Sequence, residues 1–428
     1  MKNAPLLFKE KLNAGGMIIL FAWISFFAAI ASPAASGLFF VAVTLAIITH
    51  LIVSGKKYVA LVCGKEEAPF WLCFLALMGG LVTVAQPAVA KQYFFQFVLP
   101  IPAIYFFSRL TFHPRFGKRI VFALCGMAVL ATLLGIAEFV TKRSFIYEHI
   151  IKNMYYVPFR GKRMISTHLH PTPLGTYLVA VMPLLLVLAL RAKSSLLRLA
   201  YSLGWCLLMA GVILTFSRGA FLGALAGIGT VSLFFGKHKR KLIPFVLAGF
   251  GFCVIAFSSW FFLRGSPGFY RFSTKALSSG YLYTAKIDRV HSIGRIMRDH
   301  PFIGLGFGHF RVWFDYYLPQ LAKKVGYDGK VPDCMYLALL VETGLIGFSG
   351  FAVFIFFLLK RTRRLLRFAQ TQGSDEKKFF IVCFLPGLLG IMVTFLTYDT
   401  LYWPAPSLLF WSYCGILSSL STSSNAAP

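Results

Sequence analysis

The chain has 428 residues, of which 58% are hydrophobic, 17% aromatic and only 13% charged, against a net charge of +29. Soluble domains carry roughly a quarter of their residues as charges, whereas here the apolar residues gather in uncharged runs of about 18 or more, the mark of membrane-spanning helices. Those figures exclude a soluble enzyme, a secreted domain and a nucleic-acid-binding module, and they define an all-α polytopic membrane protein.

Twelve spans are expected, at 15–31, 35–54, 69–86, 93–108, 119–140, 173–190, 197–215, 219–236, 242–262, 335–359, 379–397 and 401–420. The chain divides accordingly into nine spans over 1–262, a large loop over 263–334, and three spans with a short tail over 335–428. Basic clusters at Lys56-Lys57, Arg115 to Arg119, Arg191 to Arg198, Lys237 to Lys241 and Lys360 to Arg367 fall in alternate connections. Cytoplasmic loops are enriched in Lys and Arg, so this pattern puts those connections and both termini in the cytoplasm. The short outer turns hold only Lys91 and Arg218, yet the two long outer loops, 141–172 and 263–334, carry many cations of their own. Membrane topology works against that excess, and an anionic ligand on the outer face accounts for it. The eight cysteines show neither a CxxC pair nor metal-like spacing, so no disulfide framework and no metal site is expected.

Candidate functional residues follow in chain order. Arg160, Lys162 and Arg163 lead through His168 and His170 to Pro171 at the start of a span, and three cations there suit an anionic partner. Ser217-Arg218-Gly219 stands in a turn whose neighbours are nearly all apolar. Ionisable groups at span ends are costly to place, and a guanidinium beside a glycine can grip a phosphate with two parallel hydrogen bonds. In the large loop, Ile287, Val290, Ile293 and Met297 recur at helical spacing with Lys286, Arg289, Arg295 and Arg298 beside them. That pattern predicts an amphipathic helix on the membrane surface, ending at His300-Pro301. The Gly304-Leu-Gly-Phe-Gly308 run without a preceding strand reads as a tight turn. Asp333, just before the next span, suits either a helix cap or a carboxylate general base. Glu342 lies inside that span, where a carboxylate faces protein. Glu138 and Asp399 near outer span ends are expected to pack against outer-face arginines.

With these residues in hand, the chain resembles the O-antigen ligase family of bacterial membrane proteins, which includes O-antigen and exopolysaccharide polymerases. The resemblance rests on Thr215-Phe-Ser-Arg-Gly-Ala220, on Asp299 to Phe310, on Pro332 to Leu337 followed by Glu342-Thr-Gly-Leu-Ile-Gly347, and on the layout with a large loop before the tenth span. It implies a GT-C-like membrane fold in the bacterial inner membrane. The implied activity is metal-independent, inverting transfer of a glycan from undecaprenyl diphosphate to an acceptor hydroxyl on the periplasmic side. A ligase uses a lipid A core sugar as acceptor, and a polymerase uses another carrier-linked glycan. No cofactor and no nucleic acid is implied; the partners are the lipid-linked donor, the acceptor and membrane lipids. By motif match the diphosphate-holding role passes to Arg218, and through a looser alignment to Arg163 and one of Lys286 or Arg289; Arg160 joins them as a neighbouring cation, with Glu342 and His170 in support. Ligases carry His-Asn where this chain has Asp333-Cys334. An Asp side chain is about 2.6 pKa units less basic than His, and a weak base suffices where the sugar transition state is cation-like and proton transfer comes late. A lipid-linked glycan flippase or exporter is the alternative without chemistry, but the sequence lacks the internal repeats and broken helices typical of transporters.

Overall fold

In the computed structural model the described residues are 62–83, 85–112, 114–143, 163–168, 170–235, 251, 280–324, 330–371 and 375–422. They are helical, with no strand among them. The helices are α1 (Ala68–Gly79), α2 (Pro87–Tyr93), α3 (Pro100–Thr111), α4 (Pro114–Thr141), α5 (Pro171–Arg191), α6 (Ser195–Leu214), α7 (Arg218–Phe234), α8 (Gly280–Asp299), α9 (Phe310–Tyr317), α10 (Pro319–Ala322), α11 (Met335–Thr371), α12 (Asp375–Thr394) and α13 (Pro404–Thr422). Six stretches among the described residues are long and apolar enough to cross a membrane: Pro87–Thr111, Phe116–Thr141, Pro171–Arg191, Ser195–Leu214, Met335–Ala369 and Asp375–Thr394. The protein is therefore a multi-pass helical membrane protein. The expected spans at 15–31, 35–54 and 242–262 lie outside the described residues.

Proline opens many of these helices because the first turn has no hydrogen bond for its missing N–H to lose. It does so at α2, α3, α5 and α13. α5 is the axis of the bundle: its whole apolar window is buried, packed against α6, α7 and α12. α7 approaches α12 through Gly223, where a Cβ would lie 2.7 Å from the Gly390 carbonyl oxygen. Small residues four apart let membrane helices come this close.

Three boundaries differ from expectation. The helix at the last expected span starts at Pro404, after a 3-10 turn at Thr400–Tyr402, because the residue before a proline is pushed out of helical geometry. The stretch expected at 93–108 runs from Pro87 to Thr111 through a π-helical turn at Phe94–Val98. The third is α11, which breaks at Gly344 (φ 64°, ψ −168°). The backbone groups freed there are bonded by the segment 301–306. Leu305 and Gly306 N–H donate to the Val341 and Glu342 carbonyls (2.8 and 3.0 Å), and Leu345 and Ile346 N–H donate to the Pro301 and Phe302 carbonyls (2.9 and 3.1 Å). Backbone at membrane depth requires such pairing. The sequence reading did not anticipate this broken helix.

The expected amphipathic helix is present as α8, and the Gly304 to Gly308 run turns with φ of +75°, +101° and +74° at its three glycines. α8 docks on a different face from the one its apolar stripe suggested. Arg289, Ser292 and Ile296 are buried, while Val290 is exposed. Ile296 joins Leu305, Phe310, Phe314 and Val341 in a small core of its own.

Candidate functional site

The site is assembled where four pieces of chain meet at the end of the bundle expected to face outward. The first is the turn between α6 and α7. Phe216 is held at φ 48°, a left-handed conformation that is costly for an aromatic residue. Arg163 holds it there: its Nε donates to the Thr215 carbonyl (2.7 Å) and its Nη2 to that of Phe216 (3.4 Å). Met164 N–H adds a bond to the Leu214 carbonyl (2.9 Å). Ser217 caps α7 by accepting from Ala220 N–H (3.4 Å). The result is a fixed turn that presents Arg218 at the first position of α7, exposed and with no ion pair among the described residues. Arg163 itself is buried, so its geometry is that of a brace for the Arg218 turn.

The second piece is Asp333. It too is left-handed (φ 56°), and its Oδ2 pairs with Arg289 Nη1 of α8 at 3.0 Å. Met335 N–H donates to the Phe395 carbonyl (2.8 Å), which ties this segment to the end of α12. Among the described residues the Asp333 carboxylate makes no bond to the N–H groups of α11, so a cap role has no bond to rest on.

The third piece is the segment 394–403. Gly219 packs on it so closely that a Cβ would lie 1.7 Å from Thr397 Oγ1. Two residues on, Asp399 is buried, and its Oδ1 has no hydrogen-bond partner among the described residues. Burial pushes its carboxyl up to about 7, the charge of Asp333 pushes the same way, and its own backbone and Arg311 of α9 oppose. Asp399 forms no ion pair among the described residues, so the expectation that it packs against an outer-face arginine is met only by Arg311 acting from beyond contact.

The fourth piece is His170, whose Nδ1 accepts from Thr172 N–H (3.2 Å) and so caps α5. Its ring stacks on Tyr398 (centroids 5.2 Å) and Trp403 (5.1 Å). His168 points elsewhere: it is buried against Tyr177 and desolvation drives its pKa down to about 3, leaving it neutral. Among the described residues no group of three His, Cys, Asp or Glu could hold a metal ion.

Glu342 serves the scaffold. Its carboxylate accepts from Gly308 N–H (2.9 Å), Phe310 N–H (3.2 Å) and the Tyr402 hydroxyl, joining the glycine turn to the 394–403 segment through the break in α11. Of the remaining expected ligands, Arg160 lies outside the described residues. Lys286 stands one turn before Arg289 on α8, with its side chain outside them. Arg311, Tyr398 and Tyr402 carried no signal in the sequence, since each stands in an unremarkable aromatic or loop context.

A helical membrane protein with arginines and carboxylates gathered at one end of its bundle is thus defined. Residues 203–352 match the family model described as O-antigen ligase, a family of glycosyltransferase-like ligases and polymerases. The matched stretch includes Arg218, Arg289, Asp333 and Glu342, and leaves Arg163, His170 and Asp399 outside it. No curated protein matches the chain.

Proposed function

We propose that the protein is an O-antigen ligase-type glycosyltransferase of the bacterial inner membrane. It moves a glycan from undecaprenyl diphosphate to a hydroxyl of a lipid A core sugar at the periplasmic face. The observation that carries this reading is the exposed Arg218 on its braced turn, beside the 394–403 segment that also meets Asp333. Arg218 grips the diphosphate with parallel hydrogen bonds, and Arg289, Lys286 and Arg160 add positive charge along the carrier's path. The Asp333 carboxylate orients the acceptor hydroxyl and takes its proton. The acceptor oxygen bonds to the anomeric carbon from the face opposite the phosphate and inverts it. The bond to the phosphate oxygen breaks, and its electron pair leaves on undecaprenyl diphosphate. Charge on that leaving group grows through the transition state, where a preorganised guanidinium stabilises it. No step calls on a metal. Twelve spans, cytoplasmic termini, the division at 262 and 334 and a GT-C-like fold belong to the same proposal.

A polymerase of the same family would use the same donor site. The exporter alternative is less well supported, because backbone from 301–306 bonds the groups freed at the break in α11, where transporters use such groups to bind their cargo. The test is a lipopolysaccharide gel of a strain lacking the protein. Long glycan kept on carrier lipid but absent from lipid A supports the ligase. Core bearing a single repeat supports the polymerase, and an unchanged profile removes both from the lipid A pathway.

A further inference from the structure

Beside the site lies a concavity of about 230 Å³, between α2 with its π-helical continuation and α9. Its lining includes Gln92, Tyr93, Gln96, Phe97, Gly308 and Arg311. The two glutamines are exposed and four residues apart, so their amides stand on one helix face. They meet each other only at 3.5 Å, a long contact that a ligand's hydroxyls readily replace. The aromatic wall is rigid. Tyr93 packs edge-on against Tyr402 (5.4 Å), and Phe97 lies 5.5 Å from the same ring. Gly308 backs Tyr93 so tightly that a Cβ there would lie 2.5 Å from the ring. Gly308 N–H and the Tyr402 hydroxyl both end on Glu342, so the carboxylate inside α11 fixes this wall.

Paired amides beside a firm aromatic face are the chemistry that recognises a sugar ring: amides bond its hydroxyls, and the ring stacks its C–H face. The volume is below the range of drug-sized pockets and suits a single residue of a glycan. Arg311 adds a cation to the lining. It also acts electrostatically on Asp399, so the cavity and the reaction site share this residue.

We infer that this cavity is the subsite for the acceptor sugar, and that it selects a pyranose carrying a negative group, phosphate or carboxylate, held by Arg311 with its hydroxyls on Gln92 and Gln96. The inference rests on the proposed glycosyl transfer for the word acceptor, while the binding it asserts stands on the cavity alone.

The experiment is saturation-transfer NMR on the full-length protein in nanodiscs of neutral lipid, with four probes: glucose 6-phosphate, glucuronate, glucose and inorganic phosphate. Saturation is expected for one or both anionic sugars, and the stronger of the two names the charged group. A guanidinium bond to an anion is worth a tenfold loss or more when removed, so Arg311→Gln is expected to weaken binding at least about tenfold, with Arg311→Lys retaining part of it. Gln92→Ala with Gln96→Ala is expected to weaken every sugar, glucose included. Thermal unfolding of each variant identifies any that fail to fold, and Arg311→Lys then carries the test. Glucose binding as tightly as the anionic sugars overturns the charge selection. Inorganic phosphate competing on equal terms overturns the sugar assignment, and indifference to Arg311→Gln overturns the site. Arg218→Ala separates the two claims: sugar binding retained with transfer lost supports both, and transfer retained refutes the proposed function while leaving the binding result intact.

Discussion

Replacing Glu342 tests how the glycine turn is held against the membrane bundle. Three donors end on this one carboxylate: Gly308 N–H, Phe310 N–H and the Tyr402 hydroxyl. The side chain is only 2% exposed, so no water stands in when it goes. A buried donor left without an acceptor costs about 1–3 kcal/mol. Glu342→Ala strands three of them, and about 3–9 kcal/mol is therefore expected. Glu342→Gln keeps one oxygen but turns an N–H₂ group toward at least one donor, which sets its cost at about 2–4 kcal/mol. Tyr402→Phe removes a donor and leaves the carboxylate two partners, so it costs less, about 1.5–3 kcal/mol for a bond to a charged group. The residues share one network, so the double variant falls short of the sum of the singles. Thermal unfolding in detergent reads the total. Hydrogen exchange over 304–310 reads the local effect, because loss of about 3 kcal/mol raises local opening by more than a hundredfold. The four backbone bonds around the break at Gly344 remain, so α11 itself keeps its protection. Unchanged melting and unchanged exchange at 304–310 in Glu342→Gln would refute the account of this carboxylate.

Three further outcomes follow from the same geometry. Asp399 has an ordinary carboxyl value of 3.8 and is pushed up to about 7 when folded. The folded protein therefore holds a proton that the unfolded chain has lost between those pH values, and stability falls as pH rises through this window and levels off above about 7. At 1.36 kcal/mol per pKa unit the effect is at most about 4 kcal/mol. Asp399→Asn is expected to flatten the melting-temperature profile between pH 5 and 7, and an unaltered slope would contradict a buried carboxyl whose Oδ1 has no hydrogen-bond partner among the described residues. Gly219→Ala drives a methyl into Thr397, with a cost of about 1–3 kcal/mol. Thr397→Ala in the same chain should restore the melting temperature, and no restoration would place the clash elsewhere. Asp333→Asn keeps the size of the side chain but removes the proton acceptor and the ion pair to Arg289. Glycan transfer is expected to fall about 10²–10⁴-fold, the usual contribution of a general base, with donor binding largely kept, and full activity in this variant would exclude Asp333 as the base.

The sequence revealed which elements exist more readily than how they dock. Apolar runs are strong signals, so α4, α5 and α6 lie close to their expected spans. α8 was legible as a helix, yet its buried face was not. The side chain that docks it is Arg289, and its partner Asp333 lies beyond α9 and α10 in the chain, so no periodicity within α8 reports it. The broken α11 escaped for a related reason: Gly344 reads as an ordinary small residue until the segment 301–306 is seen to bond the groups it frees. Arg218 was legible because a lone cation among apolar neighbours is conspicuous. Arg163 was found as a cation, but its work on the Thr215 and Phe216 carbonyls depends on a fold that brings it to them. Asp399 was read as a packing partner because its spacing to Asp333 and Arg311 is set by three separate elements.

The most direct test of the central claim is in vitro transfer by the purified protein, with undecaprenyl diphosphate-linked glycan as donor and lipid A core as acceptor, comparing Arg218, Arg218→Lys and Arg218→Ala. Arg218 is exposed and makes no ion pair among the described residues, so Arg218→Ala should melt as the parent does. The account predicts that Arg218→Ala loses transfer by about 10²-fold or more, while Arg218→Lys keeps a measurable part through its charge. Parent-like transfer by a folded Arg218→Ala protein would contradict it.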